Sequence, residues 1–89
     1  MENPLENTIV ISNLTLNVAE GHLKEIFGNY GAITNIKLAR NSFGQSLKWA
    51  FMTFENAEMM NNAIHYMNGG QIDGLVISVR IADPNVDHL

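Results

Sequence analysis

Residues 46–55 read SLKWAFMTFE, and this stretch decides how the chain folds. In a β-strand successive side chains point to opposite faces of the sheet, so residues at alternate positions share a face. Trp49 and Phe51 then lie on one face, and Met52 and Phe54 lie on the other. Both faces of this strand are apolar, although a small domain with one core needs to bury only one. The sequence therefore predicts a sheet whose second, aromatic face has another use.

The length and composition indicate one folded domain. The chain has 89 residues, of which 46% are hydrophobic and 16% are charged, as is ordinary for a globular protein. No apolar run is long enough to span a bilayer and the N-terminal residues lack the features of a secretory signal, so we expect a soluble intracellular protein. The chain has no cysteine, which excludes disulfides, thiolate metal sites and cysteine nucleophiles.

The order of the predicted elements is β-α-β-β-α-β, which is typical of the ferredoxin-like α+β fold. Two right-handed crossovers then place both helices on one face of a four-stranded antiparallel sheet. Besides the quoted strand, the pattern predicts strands at 8–13, 33–38 and 75–82, and helices within 16–31 and 57–68. We expect a flexible leader at 1–7, one domain at 8–83 and a flexible tail at 84–89.

The helix starts and the sheet faces follow from local rules. Asn17, with Glu20 closing a capping box, and Asn56 are the predicted N-caps. Strand alternation assigns nine side chains to the core side of the sheet. These are Ile9, Ile11, Ile36, Leu38, Ala50, Met52, Phe54, Ile77 and Val79. The opposite side, called the open face below, carries Val10, Ser12, Lys37, Leu47, Trp49, Phe51, Ser78 and Arg80.

Exposed neighbouring aromatics on a rigid sheet indicate a binding surface. A nucleobase stacks on such rings, while nearby cations hold the phosphates. Lys37, Arg40 and Arg80 would supply that charge. The formal net charge of −4 argues mildly against a polyanion, but the acids concentrate near the termini and helices whereas most of the bases lie in the predicted strands and their loop.

This pattern resembles the RNA recognition motif family over roughly residues 8–82. The segment IVISNL, residues 9–14, looks like the family's conserved hexamer, and LKWAFMTF, residues 47–54, looks like its octamer. The resemblance implies a domain that binds single-stranded RNA, with Trp49 and Phe51 at the octamer's stacking positions.

The chain also departs from the family pattern. Val10 stands where the hexamer usually has a stacking aromatic, Leu47 where the octamer usually begins with a basic residue, and Lys48 where the octamer usually has glycine. Without the first-strand stack, we expect RNA binding roughly ten- to hundredfold weaker than that of a complete platform.

A narrower likeness lies in residues 13–31 and 65–74. These segments are similar to the RNA recognition motifs of the serine-rich-domain splicing activators associated with the exon junction complex. That likeness implies a role in pre-mRNA splicing, a nuclear location with shuttling to the cytoplasm left open, and Acinus-like and Sin3-associated partners in the ASAP assembly.

Two hypotheses stay open at the level of the sequence. The first is a single-stranded RNA-binding domain that uses the open face. The second is an adapter that joins a splicing-associated protein complex through the open face or the helices. An enzyme is not expected, because no nucleophile or acid-base pair emerges. We expect no cofactor and no metal, since His22 and His65 lack nearby ligand patterns.

Overall fold

The computed structural model describes residues 5–87. Two helices lie on one face of a four-stranded antiparallel sheet with the strand order β2-β3-β1-β6, so the predicted ferredoxin-like fold is confirmed. In chain order the elements are β1 (Thr8–Ser12), α1 (Glu20–Phe27), β2 (Ile33–Arg40), β3 (Ser46–Phe54), α2 (Ala57–Met67), β4 (Gln71–Ile72), β5 (Leu75–Val76) and β6 (Ser78–Ile81). The short strands β4 and β5 form a separate hairpin.

The core lies between the sheet and the two helices, on the side that strand alternation predicts. Eight of the nine predicted core residues are buried, and Ile36 is partly buried against them. The helices contribute Leu23, Phe27, Met60, Ala63 and Met67. Burial of this face stabilises the packing of the helices on the sheet.

One of the two predicted helix caps is confirmed. Asn56 caps α2, where its side-chain oxygen accepts a hydrogen bond from the Met59 N–H at 2.9 Å. The prediction for Asn17 is wrong, because α1 begins two residues later with Ala19 at its N-cap and no side-chain cap. The Asn17 amide instead donates to the Asp73 carboxylate at 3.3 Å. This side chain therefore bonds to a distant part of the chain and does not cap a helix.

The strand predicted at 75–82 is confirmed over Ser78–Ile81 only, because Leu75–Val76 belong to a separate strand. Asp73 and Gly74 form a two-residue hairpin turn between β4 and β5. Their φ angles are 51° and 83°, and a type I′ turn requires a positive φ at both of these positions. Ile77 then leaves the hairpin, and its N–H donates to the Gly70 carbonyl at 2.8 Å. Only β6 continues into the main sheet.

The hairpin holds the turn that follows β1. The Asn13 amide donates to the Val76 carbonyl at 2.6 Å, and the Thr15 hydroxyl donates to Asp73 at 2.5 Å. The hydrogen bonds from Thr15 and Asn17 lower the pKa of Asp73 from its ordinary value, so the carboxylate stays ionised as an acceptor. The position of the open face at the end of β1 therefore depends on contacts from β4 and β5.

Candidate nucleic-acid interface

The strand register places one row of open-face residues across all four strands. Lys37 on β2 faces Phe51 on β3, Phe51 faces Val10 on β1, and Val10 faces Arg80 on β6. The row therefore has an apolar centre and a cation at each edge. The neighbouring row contains Trp49, Ser12 and Ser78.

The predicted exposure of Phe51 is wrong. Phe51 is only 2% exposed and Val10 only 5%, because both belong to a small apolar cluster with Leu5 and Ala82. Residues 5–7 form a turn ahead of β1, closed by a 3.1 Å hydrogen bond from the Thr8 N–H to the Leu5 carbonyl. Leu5 is 3% exposed, so the turn adds a buried side chain to this cluster.

The predicted leader and tail thus both adjoin the sheet where the structure describes them. Leu5 of the leader packs in the cluster with Phe51, and Asp87 of the tail pairs with Arg80 on β6. The predicted boundaries at residues 8 and 83 stay predictions. The rest of the leader, 1–4, and the end of the tail, 88–89, lie outside the described residues.

Trp49 is the half-buried member of the predicted stacking pair. Its ring packs edge-on against the Phe51 ring, with the centroids 5.1 Å apart and the planes at 85°. Leu47, beside it on β3, is 48% exposed. Because Phe51 is covered, Trp49 is the octamer aromatic that can take a base without prior rearrangement.

A β-bulge at the start of β3 places Lys48 in a cleft beside Trp49. Leu38 pairs with Ala50 but Arg40 pairs with Ser46, so β3 contains extra residues between these pairs. Lys48 has a φ of 71°, a conformation that favours glycine, and it lines a cleft with Trp49 and other open-face residues. The sequence carried a signal for this bulge, because Lys48 occupies the position where the resembling family has glycine.

Two of the three predicted phosphate-binding cations already contact carboxylates. Arg40 lies 2.5 Å from Glu20, a partly exposed pair at the start of α1. Arg80 donates two hydrogen bonds to Asp87, at 2.8 and 2.9 Å. These bonds raise the pKa of Arg80 above its ordinary value, so the guanidinium is always charged. Lys37 is exposed, and within residues 5–87 no carboxylate is found in ion-pair contact with it.

The described residues show neither a metal centre nor a membrane span. In residues 5–87 no group of three His, Asp or Glu side chains is arranged to hold a metal ion. No helix in that range has the length and apolar character needed to cross a membrane.

Sequence comparisons identify relatives of this chain. The model of the RNA recognition motif family matches residues 9–78. The chain is 35% identical over 83 residues to polyadenylate-binding protein 6 of Arabidopsis thaliana, covering 93% of this chain and 16% of that protein. It is 31% identical over 75 residues to a component of eukaryotic translation initiation factor 3 from Dictyostelium discoideum, covering 84% of this chain and 32% of that protein. The chain therefore spans a third or less of these relatives.

Solved structures share the same architecture. The sex-lethal protein in its RNA complex superposes with a TM-score of 0.81 at 28% identity, covering 85% of this chain and 47% of that chain. The RNA recognition motif of RNA15 superposes with a TM-score of 0.82 over 86% of this chain and 90% of that chain. At 19% identity, the second similarity concerns the fold alone.

Burial of Phe51 predicts that it contributes to stability as a core residue does. Phe51→Ala should lower the free energy of unfolding by about 3–5 kcal/mol, since it removes a buried ring and leaves a cavity. Leu47→Ala, a truncation on the same strand at an exposed position, should cost less than about 1 kcal/mol. Urea unfolding followed by far-ultraviolet circular dichroism measures both values. Equal small losses in the two variants would contradict the covered position of Phe51.

Proposed function

The chain belongs to the RNA recognition motif family, and from that membership we propose that its open face binds single-stranded RNA. The motif is typically a non-enzymatic RNA-binding fold. The observation that carries the proposal is the position of Trp49, which is partly exposed on the sheet within reach of Lys37 and Lys48. A base can stack on the indole while the lysines contact the neighbouring phosphates.

The composition of the face supports weak binding with little base selectivity. Trp49 supplies one stack, and Val10 supplies none because it has no ring. Phe51 would supply a second stack only after the apolar cluster that buries it opens. Stacking is tolerant of base identity because every base has a π-face, and the phosphate contacts carry no sequence information.

Removal of the indole should therefore weaken RNA binding. Stacking contributes about 1–3 kcal/mol per base, so Trp49→Leu should raise the Kd for a short single-stranded RNA about fivefold to 150-fold. Fluorescence anisotropy of labelled RNA at about 50 mM salt, where phosphate contacts are strong, measures the change. The matched control is Tyr66→Leu, which removes a 63%-exposed aromatic from α2 on the other side of the sheet.

The comparison between these two variants decides the proposal. Unchanged binding in Tyr66→Leu together with weaker binding in Trp49→Leu supports stacking on the sheet. Equal affinities for the wild type and Trp49→Leu, with both proteins folded, would contradict it. Phe51→Ala is a poor substitute for Trp49→Leu, since loss of a buried ring changes stability as well as the face.

For the cellular role, we propose pre-mRNA processing in the nucleus. The likeness of residues 13–31 and 65–74 to splicing-activator domains supports this proposal. An adapter role in a splicing-associated complex with Acinus-like and Sin3-associated partners is the second candidate. The observation that favours it is an exposed aromatic residue on α2, Tyr66. Its ring stacks on that of Tyr30, with the centroids 5.6 Å apart.

Crosslinking in cells separates these roles. If the protein acts in pre-mRNA processing, RNA crosslinked to it should be rich in intron and splice-junction sequence, and Trp49→Leu should reduce its recovery. If it acts as an adapter, Tyr66→Leu should release the protein partners and leave the RNA unchanged. Recovery of mature messenger RNA alone would contradict the nuclear proposal and would agree better with the named roles of the polyadenylate-binding and initiation-factor relatives.

A further inference from the structure

Arg80 is engaged by a carboxylate from the same chain on the open face. Both terminal nitrogens of its guanidinium donate to Asp87, one to each carboxylate oxygen, at 2.8 and 2.9 Å. The Asp87 side chain is 10% exposed, whereas the Arg80 side chain is 50% exposed. The pair lines a cleft that it shares with Val10, Ser12 and Trp49.

The backbone after β6 is built to return this carboxylate to the sheet. Ala82 is tied to the sheet edge by a 2.9 Å hydrogen bond from its N–H to the Thr8 carbonyl. The Asp83 N–H then donates to the Asp87 carboxylate at 2.8 Å, and the Asp87 N–H donates to the Asp83 carbonyl at 2.7 Å. The Asp83 carboxylate accepts from the Asn85 N–H at 2.9 Å. These bonds form a closed turn that places Asp87 opposite Arg80.

A carboxylate and a phosphate accept hydrogen bonds from a guanidinium in the same geometry. Each presents two oxygens to the fork of N–H donors in a bidentate arrangement. The Asp87 carboxylate therefore has the charge and the geometry that an RNA phosphate would need at this place. The phosphate would lie in the cleft that contains Trp49, where a stacked base would be attached to it.

We propose that Arg80 is a phosphate-binding site on the open face and that Asp87 occupies this site in the free protein, so that RNA binds by displacing Asp87. This inference rests on the proposed RNA binding and adds an internal competitor to it. The competitor is weak enough to be displaced, because a partly exposed ion pair changes an equilibrium constant by a factor of about 1.4 to 5. The geometry is bidentate and one partner is nearly buried, which places this pair at the upper end of that range.

Removal of the competing carboxylate should therefore tighten RNA binding. Asp87→Asn should lower the Kd for a short single-stranded RNA about fivefold, measured by anisotropy at about 50 mM salt. Glu55→Gln is the matched control, since it removes one negative charge from an exposed residue just beyond the other end of β3. It should change the Kd less than about twofold, because exposed charges far from the ligand are screened.

The Arg80→Gln background separates displacement from general charge repulsion. Arg80→Gln alone should weaken RNA binding. Adding Asp87→Asn to it should not raise the RNA affinity again, because the guanidinium that binds the phosphate is no longer there. A gain that persists in the Arg80→Gln background, or a gain equalled by Glu55→Gln, would overturn the displacement proposal and leave RNA binding intact. Absence of RNA binding by both the wild type and Asp87→Asn would overturn the proposed function, and the displacement proposal with it.

Discussion

In β3 every side chain from Trp49 to Phe54 except Thr53 is apolar, so neither face of this inner strand can be left to water without cost. The helices cover Ala50, Met52 and Phe54 on one side. On the other side the described residues 5–87 place no helix, and Leu5 packs there into the cluster around Phe51. Because β3 is apolar on both faces, the helices pack on one face, and Leu5, which lies outside the predicted domain, packs on the other.

Local periodicity was enough to predict the fold and the assignment of the two faces. Side chains alternate along each strand, so residues such as Ile9, Ala50 and Val79 could be placed in the core from the sequence alone. The cover on the open face could not be predicted this way. Leu5 and Asp87 meet residues on other parts of the fold, and no periodic pattern records such contacts.

The remaining differences have the same physical origin. Asn17 is a good helix cap by residue type, but the hairpin carboxylate at Asp73 offers it a tertiary partner. Lys48 is a different case, because its positive φ and the bulge lie at a position where the family motif usually has glycine, a departure that is visible in the sequence. Burial and pairing that depend on three-dimensional neighbours were missed, whereas backbone geometry encoded by one position was available in the sequence.

In the proposed interface, RNA binds on the sheet around Trp49 and reaches Arg80. The most direct measurement is nuclear magnetic resonance of the isotope-labelled protein during titration with a short single-stranded RNA. Binding at this interface should give the largest shifts at the Trp49 indole N–H, the Arg80 side chain and the Asp87 amide, with small changes in α1 and α2. Shifts confined to the helices, or no shifts in a folded protein, would contradict it.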